Sequence, residues 1–92
     1  MNATLMMVNV VTLDGKPIVK RETDKALLVE VEDNSTTWFP KSQIKGFFGT
    51  ATGVWLVATP FIVKEKGLGY RSKRAMESDI FEALNRGEGA WV

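Results

Sequence analysis

The chain has 92 residues, 45% of them apolar and 25% charged, with twelve Lys and Arg against eleven Asp and Glu and a formal net charge of +1. That balance fits one small globular domain over 1–92 and excludes a collagen-like or disordered polymer, since a chain this short rarely divides into two cores. Cysteine and histidine are both absent, which removes disulfides, thiolate nucleophiles, the imidazole base and the usual zinc ligands together.

Residues 5–13 are a run of Leu, Met, Val and Thr broken only by Asn9, and β-branched side chains suit a pleated strand better than a helix. Asp14-Gly15-Lys16-Pro17 closes the run. Asp-Gly is a strong hairpin signal because both residues tolerate positive φ, so 18–22 is expected to return antiparallel to the first strand. Thr23-Asp24-Lys25 makes the next turn, and 26–32 follows with Leu27, Val29 and Val31 on one face and Glu30 and Glu32 on the other. After a turn at Asp33-Asn34-Ser35, 36–39 forms a fourth strand, which Pro40 ends by removing a ladder donor. Lys41-Ser42-Gln43-Ile44 reads as a single turn or a bulged continuation that drops Ile44 into the core.

The next stretch is punctuated by Gly46, Gly49 and Gly53 and carries no charge, which predicts a mobile loop bearing Phe47 and Phe48. Residues 54–64 make the longest strand candidate, apolar on both faces at its centre and bent at Pro60. Gly67-Leu68-Gly69 breaks the pattern. Met76, Ile80, Ala83 and Leu84 then recur at helical spacing, predicting a helix over 73–86 that Gly87 stops, with a tail at 87–92. Short strands joined by tight turns, with one late helix, give a mainly β fold. The expected architecture is a small antiparallel OB-like or SH3-like barrel over 1–68, the alternative being an antiparallel sheet with a packed helix.

The motif Thr36-Thr37-Trp38-Phe39-Pro40-Lys41-Ser42-Gln43-Ile44 lies between Lys25-Ala26-Leu27-Leu28-Val29 and Lys66-Gly67-Leu68. In this it resembles a set of small proteins from phages and mobile elements of bacteria that share a Lys-Ala strand, a Trp-apolar-Pro-Lys-Ser-Gln motif and a later Lys-Gly-Leu. The resemblance covers about half the chain and implies a β-rich fold and a mobile-element origin, without a reaction. Phe39 stands where those proteins carry Ile, Leu or Val, and the C-terminal helix lies beyond the shared region. Physically, Trp38 and Phe39 point to opposite faces of a strand, so one joins the core and the other lies outside it. Lys41, Ser42 and Gln43 offer an ammonium, a hydroxyl and an amide that together suit a phosphate, or else Ser42 and Gln43 tie down the loop while Lys41 is solvated.

The net charge of +1 is unevenly spread: 1–40 carries −2, 41–74 carries +6 with Glu65 as its only acid, and 75–92 carries −3. Cations that track phosphates and aromatics that stack on bases suit single-stranded nucleic acid. The residues that point to that contact are Lys41, Lys45, Lys64, Lys66, Arg71, Lys73 and Arg74, with Trp38, Tyr70 and the Phe47-Phe48 pair for stacking. In the bland reading Lys73 and Arg74 open the helix and pair with Glu77 and Asp79. The competing function is a protein-binding inhibitor or modulator of a host or element-encoded enzyme, acting through Phe47, Phe48, Glu77, Asp79, Glu82 and Trp91. Homodimerisation through exposed strand edges is a further use of Trp91.

Catalysis is not expected. Glu30 and Glu32 are ordinary acids of a solvated strand face, and the adjacent Lys41 and Ser42 diverge rather than form a dyad. The glycines lack the spacing of a phosphate loop or dinucleotide fingerprint, and no calcium-loop spacing of acids is present, so neither a cofactor nor a metal is expected. No apolar run approaches the ~18 residues of a membrane span. With no basic leader or cleavage site at the start, a cytoplasmic location and no membrane partner are expected.

Overall fold

The computed structural model describes residues 3–32 and 35–92; the start at 1–2, the centre of the expected turn at 33–34 and the side chain of Tyr70 lie outside the described set. The apolar run at the start gives β1 (Thr4–Asn9), and the Asp-Gly turn joins β2 (Thr12–Leu13) to β3 (Lys16–Pro17). Asp14 at φ 54° and Gly15 at φ 78° both take the left-handed conformation, as a two-residue hairpin turn matched to strand twist requires. A meander follows, β4 (Val19–Glu22), β5 (Ala26–Val31) and β6 (Ser35–Pro40), in which β4 and β6 flank β5 antiparallel. Residues 18–22 therefore return against β5 rather than against the first strand, to which only Ile18 is tied, through its N–H to the Val11 carbonyl.

A 3-10 turn at Lys41–Gln43 leads into β7 (Ile44–Thr50), which forms a hairpin with β8 (Gly53–Ala58). The segment expected as a mobile loop is thus paired strand. Its glycines make room rather than slack: a Cβ on Gly46, which sits at φ +147°, would lie 3.1 Å from the Trp91 ring. The run expected as one strand over 54–64 also divides. Thr59 caps a helix, α1 (Pro60–Glu65), by accepting from the Ile62 N–H. Pro60 falls at the first helical position, where its missing N–H costs nothing.

The helix expected over 73–86 begins late. Residues at its start form β9 (Ser72–Met76), and α2 (Glu77–Asn85) takes the rest. Pairing with β1 outweighs the helical pattern there, because Ala75 falls opposite Leu5 on an apolar face. Gly87 ends α2 at φ 72°, with Glu88 N–H donating to the Ala83 carbonyl. The tail contains β10 (Gly89–Trp91), paired with β7. The result is an antiparallel five-stranded sheet in the order β10-β7-β8-β1-β9, beside the three-stranded sheet β4-β5-β6.

The chain crosses between these sheets at Val10, whose N–H donates to the Val54 carbonyl, and Val11, whose N–H donates to the Glu30 carbonyl. It crosses back through the 3-10 turn. Antiparallel sheets joined at such corners, with a helix near the C-terminus, make the mainly β fold that the pattern predicts. One core lies between the sheets and under α1, centred on Val8, Val29, Phe39, Leu56 and Ile62; a second lies between the five-stranded sheet and α2, centred on Leu5, Met7, Phe48, Val57 and Ile80. The five-stranded sheet is covered on both faces, which explains the apolar run in β8.

Candidate nucleic-acid interface

The basic stretch 64–74 runs from the end of α1 to the outer strand of the five-stranded sheet. In α1 the 100° step per residue turns Ile62 and Val63 into the inner core and leaves Phe61 and Lys64, three positions apart, on the outer side. Phe61 is 66% exposed. Gly67 at φ 72° stops the helix, its N–H and that of Leu68 returning to the Lys64 and Val63 carbonyls, and the buried Leu68 side chain anchors the turn. Lys64 and Lys66 are exposed on either side of Glu65.

A 3-10 turn at Gly69–Arg71 then carries the chain into β9. Arg71 is half-buried, its Nη1 3.4 Å from the Glu32 carbonyl oxygen. Lys73 and Arg74 are exposed neighbours on β9 and so project to opposite faces of an edge strand. They lie in a strand rather than open a helix, and among the described residues they do not pair with Glu77 or Asp79. Lys73 Nζ lies 4.7 Å from the centre of the Trp55 ring. The Trp55 indole N–H in turn donates to Thr50 Oγ1 at 3.3 Å. Beside Lys73 an open cleft of about 690 Å³ is lined by Thr50, Thr52, Gly87 and Glu88.

Among the described residues, Lys64, Lys66, Lys73 and Arg74 form no ion pair, whereas Lys20 is bridged to Glu30, Lys41 to Glu22 and Arg86 to both Glu82 and Glu88. These four cations therefore have no described carboxylate bridged to them. Charges on an edge strand also keep it from pairing with another sheet, so Lys73 and Arg74 have a structural role whatever they bind.

The remaining expected residues are dispersed. Trp38 is 38% exposed on the outer side of β6 while Phe39, next to it, is fully buried, the opposition the strand period predicts. Lys41 is held by Glu22, and Gln43 Oε1 accepts from Thr59 Oγ1 at 2.7 Å, so two of the three groups suited to a phosphate are already engaged. The motif thereby fastens the 3-10 turn to the start of α1, with the Thr59 N–H also donating to the Gln43 carbonyl. Lys45 is the extra residue of a bulge in β7, three strand spacings or about 14 Å from β9. Phe47 and Phe48 are not exposed loop aromatics: Phe47 packs against the inner core, and Phe48 is buried under α2. Tyr70, the remaining stacking candidate, has its side chain outside the described set.

On α2, Asp79 Oδ2 accepts from the Met76 N–H at 3.3 Å, closing the helix start. Glu82 and Glu88 share Arg86, so most of the acids expected to face a partner are already engaged. Two aromatics escaped the sequence reading. Trp55 and Phe61 both fall within the strand that the pattern predicts over 54–64; Thr59-Pro60 followed by Gly67 is the signal for Phe61, since that pairing marks a helix start and stop. Among the described residues no cluster of acids is placed to hold a metal, and no described helix is long and apolar enough to cross a membrane. Compared with protein-family models, curated proteins and solved structures, the chain finds no match.

Proposed function

We propose that this protein is a non-catalytic binding module of a phage or mobile element that holds single-stranded nucleic acid along the α1–β9 edge. The observation that carries this reading is the set Lys64, Lys66, Lys73 and Arg74, exposed along one continuous stretch with no described carboxylate bridged to any of them. Phe61, beside Lys64, is the aromatic on which a base stacks; Trp55, under Lys73, lies on the other face of the sheet, toward α2. Such contacts tolerate any sequence, because phosphates supply the charge and every base has a π-face. Lys41, Lys45 and Trp38 are left out of the interface. Polarisation titrations with labelled single- and double-stranded oligonucleotides in low salt test it. Tighter binding to the single strand, lost in the Lys64→Ala/Lys66→Ala/Arg74→Ala variant, is expected; no binding of either form overturns it.

A second reading, a factor that binds a host or element-encoded enzyme through α2 and Trp91, is favoured by the exposure of Phe81 and Trp91, 55% and 43%. Capture of a defined enzyme from host extract by the wild type and not by Phe81→Asp supports it, and an empty wild-type result counts against it.

A further inference from the structure

Where α2, β10 and the bulged start of β7 meet, a groove of about 320 Å³ is lined by Leu5, Lys45, Glu77, Ile80, Phe81 and Trp91. Its aromatic wall is held in place. The Trp91 ring meets Phe48 edge to face, with centroids 5.2 Å apart at 71°, and lies over Gly46, where a Cβ would come within 3.1 Å of it. A large ring fixed on one side and open on the other loses little side-chain freedom when a partner covers it. Val92, next in the chain, is also exposed.

The adjoining strand edge is open too. Val92 N–H donates to the Phe47 carbonyl at 2.9 Å, so the alternation of an antiparallel ladder turns the N–H and C=O of Trp91 to the outer side of β10. The opposite edge of this sheet, β9, carries Lys73 and Arg74; β10 is Gly89-Ala90-Trp91, with neither a charge nor a proline to deter pairing. The groove itself carries one cation, Lys45, and one carboxylate, Glu77, and among the described residues neither is ion-paired.

A surface with an aromatic centre, one charge of each sign and an uncharged strand edge is complementary to itself. We propose that its occupant is a second copy of this chain, related by a two-fold axis beside β10. Phe81 and Trp91 of the two copies pack together, the β10 edges run antiparallel, and Lys45 of each copy faces Glu77 of the other. Such an interface is isologous: any contact made once is made twice. The inference uses the surface of the second reading but gives it a different occupant, and it is independent of nucleic acid.

Sedimentation velocity over a concentration series, without nucleic acid, tests it. The wild type is expected to move from monomer to dimer, and Phe81→Asp, altered at an exposed helix position, to remain monomeric with an unchanged circular-dichroism spectrum. Lys45→Glu and Glu77→Lys are each expected to weaken self-association by about tenfold or more, because like charges then face each other. An equimolar mixture of those two variants is expected to dimerise again, since every facing pair is then of opposite sign. That recovery cannot arise from a folding defect in either chain. A wild type that stays monomeric up to its solubility limit, a dimer that survives Phe81→Asp, or a mixture no tighter than its components overturns the proposal.

Discussion

The two edges of the five-stranded sheet solve the problem of unpaired backbone in opposite ways. β9 presents Lys73 and Arg74, which follow the exposed Lys64 and Lys66 in the same basic stretch of chain, while β10 presents Gly89, Ala90 and Trp91 on the sheet that α2 and the exposed Phe81 border. Water and phosphate can satisfy the first edge. The second, uncharged and flanked by aromatics, is suited to a protein surface. The scaffold between them is shared, so the difference in chemistry comes from what the edge strands carry and not from how they are held.

Disrupting the shared scaffold has the largest expected effect. Phe39 is fully buried between the sheets, and Phe39→Ala is expected to cost about 3–5 kcal/mol and to weaken both edges together, read by chemical denaturation. If only one edge suffered, the sheet would not be the common support described here. Gly89→Ala separates the edges. A Cβ there would lie 2.5 Å from the Phe48 ring, an overpacking expected to cost about 1–3 kcal/mol, to loosen β10 and to leave nucleic-acid binding intact.

Thr59→Ala removes the cap of α1 and the hydroxyl that holds Gln43. A loss of about 1 kcal/mol in thermal or denaturant unfolding is expected, and it should act on the β9 side, where α1 ends. Phe61→Ala should leave stability nearly unchanged, since the ring is exposed, yet weaken single-strand affinity by about 1 kcal/mol if a base stacks on it. Smallest is Lys73→Gln, for which a stability change within about 0.5 kcal/mol is expected, because an exposed cation over an indole contributes little.

Much of the strand pattern was legible because it rests on local chemistry. Asp14-Gly15 fixed its turn through two residues that accept positive φ, and the alternation at Trp38-Phe39 assigned one ring to the core and the other to the surface. What was not legible depends on pairing across the chain. Residues 46–53 carry glycines that locally signal a loose loop, whereas Gly46 lies under the ring of Trp91, forty-five positions away. Lys73 and Arg74 fall within the predicted helix because they lie in the turn just before Met76, where the apolar period of α2 begins; the vacant edge of β1 draws them into a strand instead. For the candidate interface, the basic stretch was visible in the charge count, but Trp55 and Phe61 emerge only from the phase of β8 and the start of α1.

Salt dependence of binding to a short single-stranded oligonucleotide is the most direct test of the central claim. Four cations on phosphates predict a slope of about −2.8 in log K against log salt, falling in magnitude by about 2 when Lys64, Lys66 and Arg74 are all replaced by Ala. An unchanged slope in that variant, or no binding by the wild type at the lowest salt, would contradict the assignment of the α1–β9 edge to nucleic acid.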